Sequence, residues 1–124
     1  MKNKNPITSS EALEQETLIH WANTSIGKYP ELELLYHVPN GGSRNKIEAA
    51  NLKRQGVKAG VPDLCLPVPK NNYHGLYIEM KAGHNKTTEK QKLWLSALNR
   101  QGYATKVCYG WLEARDIILA YLNQ

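Results

Sequence analysis

The chain of 124 residues contains no phenylalanine and only two cysteines. Cys65 and Cys108 both lie inside apolar runs, where a free cysteine usually packs as a small hydrophobic residue. They are far apart in the sequence and lack the spacing of metal ligands. We therefore expect reduced thiols in a cytoplasmic setting rather than a disulfide framework.

Long hydrophobic runs are also missing. No apolar segment approaches the roughly 20 residues that a helix needs to cross a bilayer. The first residues, Met1 to Asn5, are too polar for a secretory signal, and no repeats or low-complexity tracts occur. We expect no membrane partner, a flexible leader over residues 1–8 and a single domain over residues 9–124.

Acidic residues are the minority charge. Sixteen lysines and arginines face 11 aspartates and glutamates, so the net charge is +5. This balance permits an anionic partner such as nucleic acid without requiring one. The excess of basic residues is strongest from position 44 to position 58. A solvated helix face explains these charges about as well as contacts to a nucleic acid do. The basic residues there are Arg44, Lys46, Lys53, Arg54 and Lys58.

Hydrophobic periodicity, cap residues and turn residues predict four helices and four strands. Their order is helix, strand, helix, strand, strand, helix, strand, helix, which is typical of an α/β domain with a small mixed sheet flanked by helices. The helix between the last two strands predicts that these strands are parallel. The predicted segments are Glu11 to Thr24, Leu34 to Val38, Asn45 to Gln55, Pro62 to Val68, Gly75 to Lys81, Thr87 or Thr88 to Gln101, Ala104 to Tyr109, and Trp111 to Leu122.

The last two helices each carry a predicted buried stripe. The stripes consist of Leu93, Trp94, Ala97 and Leu98 in one helix, and of Leu112, Ile117, Ile118, Ala120 and Tyr121 in the other.

Three charged residues lie in apolar stretches where a buried strand has no need of them. They are Asp63 in Val61-Pro62-Asp63, and Glu79 and Lys81 in Ile78-Glu79-Met80-Lys81. Burying a charge is costly unless the charge is paired or bound to a metal. Glu79 and Lys81 are two positions apart, so they project from the same face of a strand.

If the two strands pair, Asp63 can lie beside Glu79. Two such carboxylates repel each other and favour a cation between them, and oxygen ligands suit Mg²⁺ or Mn²⁺. A simple ion pair between Lys81 and either carboxylate stays open as the alternative, and Asp63 after a proline can equally be a loop residue.

Two further segments can contribute to a site. The first helix offers Glu11, Glu14 and Glu16, of which Glu11 shares a face with Gln15 and the buried Leu18. The segment Asn40-Gly41-Gly42-Ser43-Arg44 leads into a helix, and glycines at a helix start let backbone N–H groups approach a phosphate. An ordinary strand-to-helix turn also explains this segment.

The combined motifs resemble a known group of enzymes. Pro62-Asp63, followed by Glu79-Met80-Lys81 at the end of the next strand, resembles the PD-(D/E)XK nuclease superfamily. With Gly56, Gly60 to Leu64, Gly75 to Lys81, Gln91 and Gly102-Tyr103, the pattern is similar to the VRR-NUC family of virus-type replication-repair nucleases. The resemblance runs from about Glu11 to Tyr121 and implies a restriction-endonuclease-like PD-(D/E)XK core.

The resemblance implies roles for individual residues. Asp63 and Glu79 would bind Mg²⁺ or Mn²⁺, and Lys81 would be the catalytic lysine. Glu11 would be the helical glutamate of the family, since Gln15 follows four positions later. Gln91 matches the glutamine after the motif, with a solvated helix position as its alternative. The implied substrate contacts are Gln15, Asn40, Gly41, Gly42, Ser43, Arg44, Lys46, Lys53, Arg54 and Lys58.

The implied activity is a metal-dependent DNA endonuclease of repair, recombination or replication, acting on branched DNA such as Holliday junctions. Two symmetric cuts need two active sites, so we expect a homodimer. The small stand-alone form suggests the cytoplasm of a bacterial or phage-infected host cell. The alternatives are a catalytically silent nucleic-acid-binding module of the same fold and a protein-interaction subunit. A silent copy would be expected to lose at least one of Asp63, Glu79 and Lys81.

Overall fold

Four helices flank a sheet of four strands in the computed structural model, which describes residues 10–39 and 45–124. The predicted leader, residues 1–8, lies outside the described residues. The elements are α1 (Glu11–Thr24), a short 3-10 helix (Pro30–Leu34), β1 (Tyr36–His37), α2 (Lys46–Arg54), β2 (Leu64–Leu66), β3 (Leu76–Lys81), α3 (Glu89–Arg100), β4 (Ala104–Tyr109) and α4 (Trp111–Leu122).

The sheet has the strand order β1-β2-β3-β4 and is mixed, as predicted. Strand β2 is antiparallel to both of its neighbours, β1 and β3, whereas β3 and β4 run parallel, as the helix between them indicates. In the β2–β3 register Leu64 lies opposite Ile78. Asp63 precedes Leu64 and Glu79 follows Ile78, so this register brings the two carboxylates to the same end of the strand pair.

The core forms around β3. Leu76, Ile78 and Met80 are each at most 1% exposed, and Leu18 from α1 and Ile118 from α4 are fully buried with them. Helices α1 and α4 pack on each other and on β3, while α3 packs on β4. The end of β3 is therefore surrounded by structure that holds its side chains in place.

The predicted helix starts are confirmed by their caps. Ser10 accepts a hydrogen bond from the Leu13 N–H at the start of α1, and Asn45 accepts one from the Glu48 N–H at the start of α2. Thr88 and Gln91 form a reciprocal capping box at the start of α3. Such caps satisfy backbone donors that a helix start leaves unpaired.

Two predicted strands were too long. Of the strand predicted over Leu34 to Val38, β1 retains only Tyr36–His37. Leu34 instead ends the 3-10 helix, which begins at Pro30 because proline has a preset φ suited to a helix start. The strand predicted over Pro62 to Val68 is only Leu64–Leu66. Prolines at positions 62 and 67 have no N–H to donate to the ladder, which confines the strand between them.

Parts of the predicted stripes were wrong. Leu93 is 68% exposed and Leu112 is 52% exposed, and Ala120 is exposed as well. The inner face of α3 instead carries Gln91, which lies about 200° around the helix from Leu93. The partly buried residues of α3 are Gln91, Trp94, Leu95, Ala97 and Leu98.

Among the described residues, no helix has the length and apolar character required to cross a membrane.

Candidate active site

Glu79 and Lys81 are the two buried charged side chains of the described residues, with 2% and 5% exposure. Both lie in the last half of β3, which alternates them with the core residues Ile78 and Met80. Burial of a carboxylate and an ammonium together requires partners for both. Their surroundings therefore decide what this end of the sheet can do.

The Glu79 carboxylate has one satisfied oxygen and one unsatisfied oxygen. Its Oε2 accepts a hydrogen bond from Gln91 Nε2 at 3.0 Å and lies 4.0 Å from Lys81 Nζ. Its Oε1 is buried and has no hydrogen-bond partner among the described residues. An unpartnered buried polar atom is costly, so Oε1 is available for a ligand.

Asp63 is fixed beside Glu79 by both neighbouring strands. Its side-chain Oδ2 accepts a hydrogen bond from the Met80 N–H at 2.7 Å. Its backbone carbonyl accepts from the Val38 N–H at 2.7 Å and contacts His37 Nδ1 at 2.8 Å. A carbonyl can only accept, so Nδ1 carries the proton in this contact. Asp63 therefore lies in the loop directly before β2, and hydrogen bonds fix both its backbone and its side chain.

Gly60 sets the path of the loop that leads to Asp63. Its φ is +94°, and a Cβ there would lie 2.8 Å from the carbonyl carbon and oxygen of Lys90. Only glycine fits so close to this backbone without strain. The loop therefore packs on the first turn of α3, the turn that also carries Gln91.

Burial raises the pKa of Glu79 from 4.5 to about 8, and the neighbouring Asp63 contributes as the next cause. Lys81 lowers this pKa and Glu11 raises it further. The protein alone therefore holds a proton on Glu79 at neutral pH. A divalent cation can replace that proton, because it neutralises both carboxylates at once.

The donor set fits Mg²⁺ or Mn²⁺. Asp63 and Glu79 supply oxygen atoms, which these cations prefer, and Glu79 Oε1 is an unpartnered buried acceptor. Within residues 10–39 and 45–124, however, no group of three or more histidine, cysteine, aspartate or glutamate side chains is close enough to form a complete cage. A cation held here would therefore have Asp63 and Glu79 as its protein ligands at the centre.

The structure separates the three glutamates of α1. Glu11 accepts a hydrogen bond from Asn85 Nδ2 at 2.8 Å. Its negative charge also contributes to the raised pKa of Glu79. Glu14 accepts one from the Trp111 N–H at 2.8 Å, so it caps the start of α4. Glu16 is exposed and borders a surface cleft on α1. Of the three, Glu11 is the one whose charge raises the pKa of Glu79.

Gln91 is not a solvated helix residue. Its Oε1 accepts from the Thr88 N–H at 2.8 Å in the capping box, while its Nε2 donates to Glu79. One amide therefore joins the start of α3 to the buried carboxylate of β3. Gln15, by contrast, borders the cleft that Glu16 lines, and its side chain forms no hydrogen bond with another described residue.

Apart from Gln15 in α1, the predicted DNA-contacting residues fall into two groups. Residues 40–44, the predicted glycine-rich loop with Arg44, lie outside the described residues. The others are exposed on α2 and the turn after it, and no residue of α2 is buried. Arg54 donates a hydrogen bond to Asn51, and the exposed basic side chains of this segment are Lys46, Lys53, Arg54 and Lys58.

Sequence reasoning missed Asn85 and the capping role of Glu14. Asn85 lies in a polar loop, where periodicity carries no signal and an asparagine is ordinary. Its partner Glu11 is 74 positions away, and only the packing of α1 near the end of β3 brings the two together.

Comparisons with known proteins agree on one family. A family model described as the VRR-NUC domain matches residues 9–111. A solved structure of a VRR_NUC domain protein aligns with a TM-score of 0.80 and 31% identity, over 94% of this chain and 90% of the other. No curated protein matches the chain.

Proposed function

This chain belongs to the VRR-NUC family, and from that premise we propose that it is a nuclease that cleaves DNA endonucleolytically with the help of a divalent cation. One observation carries the metal dependence. Glu79 Oε1 is a buried carboxylate oxygen without a partner in the described structure, beside the fixed carboxylate of Asp63. The proposed reaction is hydrolysis of a phosphodiester, in which water forms one P–O bond and another P–O bond breaks.

Asp63 and Glu79 are the proposed ligands of Mg²⁺ or Mn²⁺, with Glu11 as a third carboxylate from the rim. A cation bound there would act as a Lewis acid on the phosphate and lower the pKa of water. Gln91 holds Glu79 from the side of α3, and the Met80 N–H holds Asp63, so both carboxylates keep one orientation. Such positioning matters because a small displacement of a reacting group costs rate.

Lys81 is the proposed catalytic lysine. Its Nζ lies 4.0 Å from Glu79 Oε2, in a side chain that is almost fully buried. In this position the ammonium group can orient the attacking water and stabilise negative charge that develops on the phosphate. A charge in a site of low dielectric acts more strongly than the same charge in water.

The finer assignments belong to the same proposal. The substrate would be branched DNA such as a four-way junction, cut in repair, recombination or replication by a homodimer with two sites. The exposed basic residues of α2 would contact the DNA backbone, as would Gln15 and residues 40–44. The proposed setting is the cytoplasm of a bacterial or phage-infected cell, where Cys65 and Cys108 would stay unpaired.

The test uses labelled four-way junctions and linear duplexes, incubated with Mg²⁺, Mn²⁺ or EDTA. We expect cleavage only with a metal and a faster rate on junctions. Lys81→Ala should lower the cleavage rate by about 100-fold or more, as expected for the loss of a charge-stabilising donor, while junction binding in EDTA stays within about twofold.

Lys92→Ala is the matched control, because Lys92 is 59% exposed and forms only a surface ion pair with Glu89. It should cut at the parent rate. Cleavage in EDTA, or full activity of Lys81→Ala, would contradict the mechanism. If the parent protein cuts no DNA under any of these conditions, the proposed nuclease activity is wrong. The chain would then be a catalytically silent nucleic-acid-binding module.

A further inference from the structure

The loop between β3 and α3 reaches the rim of the carboxylate site through a single side chain. Asn85 Nδ2 donates a hydrogen bond to Glu11 Oε2 at 2.8 Å. This bond joins the loop to the first turn of α1. The other carboxylate oxygen of Glu11, Oε1, accepts no hydrogen bond from the described residues and therefore stays open to a ligand.

The backbone of Asn85 is held on both sides. Its N–H donates to the Ala82 carbonyl at 3.2 Å, which ties it to the end of β3. Its carbonyl accepts from the Tyr109 hydroxyl at 2.8 Å, which ties it to the last residue of β4. Because β3 and β4 are hydrogen-bonded neighbours in the sheet, these two contacts fix the Asn85 backbone at the end of both strands.

Glu11 needs such a partner to stay near the site. Glu11 lies in the first turn of α1 and is only partly buried, so without a partner its carboxylate would turn toward water. A neutral amide donor counters this tendency without adding a charge. A lysine in the same place would compete with a cation for Glu11, whereas an aspartate would repel it.

We propose that Asn85 is a positioning residue that holds the Glu11 carboxylate at the rim of the metal site, with Tyr109 anchoring the loop that carries Asn85. This inference rests on the proposed function, because it assigns Glu11 to the cation held by Asp63 and Glu79. It adds a residue that neither composition nor motif singles out. Asn85 acts on the metal through Glu11 and does not itself touch the reacting atoms.

The experiment is a double-mutant cycle on metal affinity, measured by calorimetric titration of Mn²⁺ alone into the metal-free protein. We compare the parent protein with Asn85→Ala, Glu11→Gln and the double variant. Asn85→Ala should weaken Mn²⁺ binding roughly 3- to 10-fold, the range expected for the loss of one hydrogen bond. Glu11→Gln should weaken it more, and the double variant should equal Glu11→Gln, because Asn85 has no effect once its partner carboxylate is gone.

Two further variants separate positioning from stability. Tyr109→Phe removes only the hydroxyl and should weaken Mn²⁺ binding in the same direction by a smaller factor. Asn99→Ala removes an asparagine that bonds the Tyr103 carbonyl near the far end of α3 and should leave Mn²⁺ affinity unchanged. In cleavage assays Asn85→Ala should need more Mn²⁺ for half-maximal rate yet approach the parent rate at saturating Mn²⁺.

Each contrary outcome has a defined meaning. If the parent protein binds no Mn²⁺, the proposed function and this inference both fail. If the parent binds Mn²⁺ and cuts DNA but Glu11→Gln or Asn85→Ala keeps parent affinity, only the inference is overturned. Additive losses of Mn²⁺ affinity in the double variant overturn it as well. So does a clear fall in the melting temperature of metal-free Asn85→Ala, because Asn85 would then act on the fold.

Discussion

Glu79 shows how a single residue in a strand becomes chemically unusual. In solvent its carboxyl group would ionise near pH 4.5, but burial and the nearby Asp63 raise the pKa to about 8. The burial that makes the charge unfavourable also leaves Oε1 without a geometric hydrogen-bond partner among the described residues. In the proposed function, Glu79 would exchange this proton for a cation.

This pKa predicts how the stability of the metal-free protein depends on pH. Between about pH 4.5 and pH 8 the folded state keeps the Glu79 proton while the unfolded state releases it. The free energy of unfolding should therefore fall as the pH rises through this window. Glu79→Gln cannot titrate, so its melting temperature in EDTA should fall less between pH 5 and pH 8.5 than that of the parent.

Glu89→Gln serves as the control for this pH series, because the Glu89 side chain is 86% exposed. Its melting curves should follow those of the parent at every pH. Parallel curves for the parent and Glu79→Gln would show that Glu79 titrates normally, and the pKa argument would be wrong.

At the scale of elements, the first turn of α3 is the part that assembles the site. It carries Gln91, which contacts Glu79 in β3, and its Lys90 backbone lies against Gly60 in the loop before Asp63. A capping box fixes where the helix begins. The start of α3 therefore orients the Glu79 carboxylate by a hydrogen bond. It also positions the loop that leads to Asp63, because that loop packs against it.

Gly60→Ala should destabilise this assembly. The added Cβ would contact the Lys90 carbonyl at 2.8 Å from a backbone with a φ of +94°, and we expect a loss of about 1–3 kcal/mol in the free energy of unfolding. Urea denaturation of metal-free protein measures it.

Gly27→Ala is the comparison for Gly60→Ala, because nothing lies within 4 Å of a Cβ at position 27. It should change stability by no more than about 0.5 kcal/mol. Equal effects of the two substitutions would rule out the close packing of this loop on α3.

At the scale of the whole molecule, the proposed metal site joins parts of the chain that are distant in sequence. Glu11 belongs to α1, Asp63 to the loop before β2, and Glu79 to β3. Ionising Glu79 beside Asp63 and Glu11 is unfavourable in the metal-free protein, and a bound cation would offset that repulsion. Metal binding should therefore contribute directly to global stability.

Added Mn²⁺ should raise the melting temperature of the parent protein. A ligand at 100 times its Kd stabilises a fold by about 2.7 kcal/mol when it binds only the folded state. The measurement is a thermal melt across a Mn²⁺ series, with Asp63→Asn as the variant that should lose most of the shift. An equal shift in Asp63→Asn would place the stabilising ion somewhere else.

Much of the fold could be predicted because its signals are local. Caps and apolar periodicity identify α1, α3 and α4 to within about a residue, and β4 is predicted with its observed bounds. The strand bounds near Pro30 and Pro62 were less accurate, since short strands depend on partners elsewhere in the chain. The buried stripe of α3 was partly wrong because Gln91, rather than Leu93, faces the sheet.

The sequence by itself determined the order of elements, the parallel β3–β4 pair and the presence of Asp63, Glu79 and Lys81 near the ends of two strands. Only the tertiary structure decided that Glu79 Oε1 has no described partner and that Glu14 caps α4. It alone also joined Glu11 to Asn85. Periodicity and capping act over a few residues, whereas burial and side-chain pairing depend on which distant segments the fold brings together.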